Sequence, residues 1–137
     1  MIIENEIKTR RIQFIKLESV KEKFPTHRIQ IRFETENIKA DFENYIWVSD
    51  SGIAKFLNEL DTLDRTRKGQ AILASLGPGE MNLIFKSIDT LGHLSVFFKF
   101  VKEDKINKDY SYDVQIEFQI DPTSLKTVRN GLLNLTE

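Results

Sequence analysis

The segment Tyr110–Leu135, YSYDVQIEFQIDPTSLKTVRNGLLNL, decides the fold because its hydrophobic period changes halfway. From Tyr110 to Ile120, apolar and polar residues alternate. This predicts a strand with one buried and one solvated face, since successive side chains of a strand point to opposite sides. After Ile120, apolar residues recur every three or four positions, which predicts one side of a helix. These residues are Leu125, Val128, Leu132 and Leu135.

The junction between the two patterns carries a helix-start signal. Asp121 is a good N-cap residue, and Pro122 suits the first helical turn, where its missing N–H costs nothing. A strand with one apolar face followed by a helix with one apolar stripe must bury both. We therefore expect the rest of the chain to supply the other walls of one core.

Upstream, the same two patterns predict six more strands and one more helix. The strands are residues 11–20, 27–36, 38–48, 70–76, 81–89 and 93–102. The helix is capped by Ser49 or Asp50, and residues 1–9 are a frayed end or a short edge strand. The 11–20 strand alternates imperfectly, which indicates either a bulge near Phe14 or burial on both sides. The strand at 70–76 is apolar on both faces, so we expect it to be covered on both.

Short connections between successive strands predict an antiparallel meander. The expected fold is therefore α+β: a mostly antiparallel meander sheet of about seven strands, one helix after the third strand, and a C-terminal helix packed on the sheet. Residues 1–137 form one domain, and no internal repeat is visible in the sequence.

Composition narrows the function classes. The 137 residues include no cysteine, which excludes disulfides and a thiol nucleophile, and the net charge of −1 gives no bulk attraction to nucleic acid or anionic membrane. No apolar run approaches the ~20 residues of a membrane span. The start, MIIENEIKTRR, lacks the pattern of a signal peptide. These features fit a cytoplasmic protein.

No motif for catalysis, metal or cofactor binding is visible. The two histidines, His27 and His93, are far apart in sequence and are interpreted as structural or merely exposed. A G-x-S-x-G elbow and a phosphate-binding loop are both missing. Asp113 and Glu117 share one face of the last strand, as carboxylates on any solvated sheet face do. We therefore expect no catalytic residues, no metal and no cofactor.

Tyr45 and Trp47 are large aromatic residues at positions where the strand pattern predicts a solvated face. The alternation places them on the polar side of their strand together with Asp41 and Glu43. Large aromatic residues beside acidic ones are typical of protein-binding surfaces. The alternative is that another element covers them and makes them part of the core. On the first interpretation, the candidate binding residues are Asp41, Glu43, Tyr45 and Trp47.

The stretch from Ile46 to Leu135 resembles the WapI-type immunity proteins of bacterial contact-dependent (polymorphic) toxin systems. The matching pieces are SGIAKFLNELDTL, KGQAILAS, MNLIFKSIDTLGHLSVFFKF and the strand ending FQIDPTSL before the last helix. The ending resembles an F-x-I-D-x-x-x-L pattern through Phe118, Ile120, Asp121 and Leu125. The resemblance covers the C-terminal two-thirds and implies a small cytoplasmic protein that binds and blocks a cognate toxin domain. It implies no catalytic residues.

Three functions remain open on the sequence. The first is a non-enzymatic immunity protein that binds its toxin through the sheet surface. The second is a small-ligand carrier, since a curved sheet rich in phenylalanine can close around an apolar cavity. The third is an enzyme that uses His93 with Asp113 or Glu117, which requires these side chains to converge in a cleft.

Overall fold

Two four-stranded antiparallel sheets, each followed by a helix, make up the described part of the chain. This is a computed structural model, which describes residues 1–103 and 111–137, and only the backbone of residues 40–44. The first sheet contains β1 (Ile2–Glu4), β2 (Arg11–Val20), β3 (Thr26–Glu34) and β4 (Lys39–Ser49), followed by α1 (Asp50–Thr66). The second contains β5 (Gln70–Ala74), β6 (Met81–Ser87), β7 (Leu94–Glu103) and β8 (Ser111–Ile120). A 3₁₀ turn (Pro122–Ser124) leads into α2 (Leu125–Thr136).

The α+β class and the antiparallel meanders are confirmed, but the arrangement differs from one sheet of about seven strands. The chain forms two sheets, and α1 follows the fourth strand instead of the third. The first strand, β1, is the short edge strand that was one of the two alternatives for residues 1–9, and it brings the first sheet to four strands. The helix α1 interrupts the succession of paired strands. A backbone hydrogen bond from Leu76 N to Trp47 O, 2.8 Å long, joins the end of β4 to the segment after β5.

One core lies between the inner faces of both sheets and one side of each helix. Phe14 of β2 meets Phe98 of β7 in an edge-on contact with ring centroids 6.3 Å apart. The ring centroids of Phe56 in α1 and Phe85 in β6 are 5.8 Å apart. The predicted stripe of α2 is confirmed, because the buried residues of this helix are Leu125, Val128, Leu132 and Leu135. The apolar spacing of α1 predicts Ile53, Phe56, Leu57, Leu60 and Leu63 on one side, and all are buried except Leu57, which is partly buried.

The decisive strand is confirmed from Ser111 to Ile120, but its apolar face is buried over the second half only. Ile116, Phe118 and Ile120 are buried, whereas Tyr112 is 49% exposed and Tyr110 lies outside the described residues. The alternation is the same along the whole strand, but nothing in the described chain buries its first residues.

Two local expectations need correction. The irregularity in β2 is a bulge, as one of the two alternatives proposed, but it lies between Lys16 and Glu18 and not near Phe14. The strand β5 is an edge strand with one buried face, because Ala71 and Leu73 are buried while Ala74 is exposed. Cover on both sides of β5 is therefore wrong.

The fold repeats itself although the sequence shows no repeat. Each half is a four-stranded meander followed by a helix, and the cap residues Ser49 and Asp121 lie 72 positions apart. Both helices bury residues with the spacing three, four, three. The two halves thus offer positions that can be compared one for one.

Candidate protein-binding face

The outer face of the first sheet brings the predicted aromatic residues together with residues from two other strands. The β3–β4 register places Tyr45 opposite Gln30 and Trp47 opposite Arg28. The β2–β3 register places Gln30 opposite Ile15 and Arg28 opposite Glu18. These two adjacent rows, which we call the aromatic face, consist of Ile15, Glu18, Arg28, Gln30, Tyr45 and Trp47.

Tyr45 and Trp47 form a rigid pair at the edge of this face. Their rings meet edge to face, with centroids 6.3 Å apart and planes at 87°. The guanidinium of Arg28 lies 4.5 Å from the centre of the Tyr45 ring, a cation–π distance. Tyr45 is 40% exposed and Trp47 partly so, and Ile46 and Val48 between and after them are buried. The aromatic pair is therefore held in place from within the sheet and still open to solvent.

The charged groups around the aromatic pair neutralise one another. Arg28 Nη2 lies 3.3 Å from Glu18 Oε2. At one end of the same sheet, Arg11 donates to Glu4 at 3.1 Å, and Lys39 lies 3.6 Å from Glu34. Arg32 is also engaged by a neighbour. Among the described side chains, the outer face of the first sheet therefore presents ion pairs and not a field of one sign.

The two acidic residues predicted for this site fall where side chains are not described. The backbone register places Asp41 opposite Arg32, on the row next to that of Tyr45, with a register shift between the two rows. The side chains of Asp41 and Glu43 lie outside the described residues. Tyr45 and Trp47 therefore remain as the candidates with described geometry.

The second half of the chain provides an internal comparison for the aromatic pair. Tyr45 and Trp47 stand four and two residues before the cap of α1, Ser49. Glu117 and Gln119 stand four and two residues before Asp121. Both of these are exposed and polar. The strand-to-helix junction thus forms with no aromatic residues at these positions.

The structure assembles one polar cluster that the sequence did not reveal. His27 is 2% exposed; its Nδ1 lies 2.8 Å from Ser19 Oγ and its Nε2 lies 2.5 Å from Asp50 Oδ1. Ser19 is on β2, and Asp50 begins α1. The residue types are those of a hydrolase triad, but the histidine that joins them is 2% exposed and leaves little room for a substrate. The cluster is therefore explained best as a link between the first sheet and α1.

The proposed catalytic combination of His93 with Asp113 or Glu117 does not come together. His93 is exposed and hydrogen-bonds to Asp89, and this bond is the main reason that the pKa of Asp89 is lowered. Asp113 is opposite Val101, eight residues along β7 from His93, or roughly 25 Å at the rise of a strand. Glu117 is opposite Phe97 and accepts from Ser95 at 3.2 Å.

A cleft of about 570 Å³ opens beside His93 instead. It lies between the β1–β2 loop and the β8–α2 junction, and its polar lining includes Asn5, Arg10 and Asp121. Arg10 is already engaged, since it donates to Glu117 O at 3.1 Å and lies 3.6 Å from Glu36. The lining offers no paired nucleophile and base.

Among the side chains of residues 1–39, 45–103 and 111–137, no three histidine or acidic groups gather as metal ligands would. None of the described helices is long and apolar enough to cross a membrane.

Comparisons with known proteins add little to this geometry. The sequence matches no protein-family model, and no curated protein matches it. Among solved structures, the chain is similar to one described as "Crystal structures of trypanosoma bruciei MRP1/MRP2", with 11% identity and a TM-score of 0.43. That alignment covers 98% of this chain and 80% of the other. A similarity at this distance carries no argument about function.

Proposed function

We propose that this chain is a non-enzymatic immunity protein that binds and neutralises a cognate bacterial toxin domain through the aromatic face. One observation carries the proposal. Tyr45 and Trp47 contact each other edge to face on the outer side of the first sheet, and neither belongs to the buried core. Tyrosine, tryptophan and arginine are the residue types that contribute most to binding at protein interfaces. The resemblance to WapI-type immunity proteins gives the same expectation.

The internal repeat of the fold supports this interpretation over a structural role. If the strand-to-helix junction needed aromatic residues, the second half would carry them as well. It carries Glu117 and Gln119 at the corresponding positions. The aromatic pair is therefore an addition to the scaffold, and binding is the simplest use for it.

The alternative of a small-ligand carrier has less support. A carrier needs an empty space between its apolar walls. Here Phe14 of the first sheet contacts Phe98 of the second across the core, with ring centroids 6.3 Å apart. The fully buried phenylalanines include Phe14, Phe56, Phe85, Phe98 and Phe100. The rings that could have lined a cavity thus pack against one another.

The test is co-expression with the toxin domain encoded next to this chain. We expect wild-type protein to restore growth and to form an isolable complex. Tyr45→Ala and Trp47→Ala should each weaken the complex by about 2 kcal/mol or more, roughly thirtyfold in Kd, because each removes a pre-oriented anchor. Isothermal titration calorimetry measures the change in Kd.

The matched control is Tyr112→Ala. Tyr112 is also an exposed tyrosine on a strand, 49% accessible, but it belongs to the second sheet. Its loss should leave Kd within about twofold, and thermal unfolding of all three variants would show that each is folded. If neither Tyr45→Ala nor Trp47→Ala changes the Kd, the binding site lies elsewhere on the protein. If no complex forms and growth is not restored, the immunity role is rejected for that toxin.

A further inference from the structure

The polar tips of the aromatic pair are the Tyr45 hydroxyl and the Trp47 indole N–H. Among the residues with described side chains, neither the Tyr45 hydroxyl nor the Trp47 indole N–H makes a hydrogen bond. The indole N–H can only donate, and the phenol can donate or accept. At an interface that excludes water, such groups need partners from the other side, because a buried polar group without a hydrogen bond weakens binding.

On the same face, the described ion pairs bring opposite charges together, although Arg28 Nε has no hydrogen-bond partner among the described residues. Arg28 has Glu18 at 3.3 Å and the Tyr45 ring at 4.5 Å. The end row has Glu4 with Arg11 and Glu34 with Lys39. Among the described side chains, a partner that approached with one strong sign of charge would meet an opposing charge in each of these ion pairs, and would gain little from long-range steering.

Ile15 and Gln30 complete the contact surface without adding charge. Both are partly exposed and lie on the row that ends at Tyr45. The bulge in β2 exposes Leu17 next to them, with 43% of its surface accessible. Among the described side chains, the charged neighbours of the aromatic pair are therefore Glu18 and Arg28, which form an ion pair.

We infer that the surface of the toxin that docks on the aromatic face is electrically neutral and largely apolar, and that it offers hydrogen-bond acceptors to Tyr45 and Trp47 in place of counter-charges. This inference rests on the proposed function and specifies the partner of that same site. On this inference, the chain blocks its toxin at a neutral surface, and it does not place acidic side chains in a positively charged groove of the toxin. The net charge of −1 for the whole chain agrees with such a partner.

The experiment measures association and dissociation rates with the neighbouring toxin domain at several salt concentrations. Trp47, the only tryptophan of the chain, reports binding by its fluorescence. From about 20 mM to about 500 mM NaCl, we expect the association rate constant to change by less than about threefold, since steered complexes lose ten- to thousandfold. Tyr45→Ala should raise the dissociation rate and leave the association rate almost unchanged.

Glu18→Gln provides a second, independent readout. It leaves Arg28 without its carboxylate, so docking must bury an uncompensated cation. We expect the Kd of the complex to rise roughly tenfold, and the factor to be the same at low and at high salt concentration. Glu103→Gln, an exposed carboxylate at the end of β7, is the matched control and should have no effect.

The outcomes separate the two proposals. A complex whose association slows tenfold or more with salt, or that loses affinity in Glu18→Gln only at low salt, would overturn the neutral partner and leave the immunity function standing. If no complex forms at any salt concentration and growth is not restored, the proposed function falls and the inference falls with it.

Discussion

His27 shows what a single buried polar side chain contributes to this fold. It bonds on one side to Ser19 of β2 and on the other to Asp50 at the start of α1, and it is almost fully enclosed. His27→Ala removes both hydrogen bonds and leaves a space in the core. Each loss is worth one to a few kcal/mol, so we expect the free energy of unfolding to fall by about 2–4 kcal/mol.

Urea denaturation followed by Trp47 fluorescence measures this change. The matched control is His93→Ala, since His93 is exposed and its contact is a surface pair with Asp89. Such pairs contribute about 0–1 kcal/mol. Equal stability of the two variants would show that the Ser19–His27–Asp50 link adds nothing.

His27 also marks the limit of what could be predicted at the scale of residues. The alternation of its strand predicts Ile29, Ile31 and Phe33 as inward-facing, and all three are buried. The pattern does not show that the inward-facing His27 meets Asp50, because they are 23 positions apart and belong to different elements. The same reason left the Arg28–Tyr45 contact unforeseen, although Tyr45 itself was a candidate.

The helix starts are elements that the sequence does predict, because their chemistry is local. Ser49 accepts a hydrogen bond from Gly52 N at 3.0 Å, and Asp121 accepts from Thr123 N at 2.9 Å. The pairing of strands is not local. Periodicity predicts that a strand exists, but whether it joins one sheet or another depends on contacts that are distant in sequence. The prediction was therefore accurate for helices and for most strands, and wrong for the number of sheets.

The Asp121 turn gives a prediction about pH. The hydrogen bonds from Thr123 hold the pKa of Asp121 below its ordinary value of 3.8. A carboxyl with a lower pKa in the folded state stabilises the fold fully above its unfolded pKa, and this contribution is lost as the pH falls through the folded value. Asp121→Asn keeps an acceptor for the turn but cannot titrate, so its melting temperature should fall less than that of wild type between pH 6 and pH 3.

Differential scanning calorimetry at each pH measures this difference. Gln119→Ala, at an exposed position two residues before the turn, is the control and should follow the wild-type pH profile. Some acid sensitivity should remain in Asp121→Asn, because Asp89 also has a lowered pKa, through its bond with His93. An unchanged pH profile in Asp121→Asn would mean that the turn has no part in acid stability.

At the scale of the whole molecule, the two repeated halves depend on one another. Each sheet has only four strands and one helix, and each helix buries its stripe in the same core that the two sheets share. A sheet with one apolar face must bury that face against another layer, and here the other sheet is part of that layer. The aromatic face therefore keeps its geometry only as long as the second sheet supports the first from behind.

This dependence can be measured with one substitution in the second sheet and one probe in the first. Phe98 of β7 is fully buried against Phe14, whereas Trp47 reports from β4. Phe98→Ala should cost about 3–5 kcal/mol. Because the core is shared, the urea midpoint seen by Trp47 fluorescence should fall by the same amount as the midpoint seen by circular dichroism. If the fluorescence midpoint stayed at the wild-type value while circular dichroism showed an earlier transition, the first sheet would be stable alone, and toxin binding would survive loss of the second half.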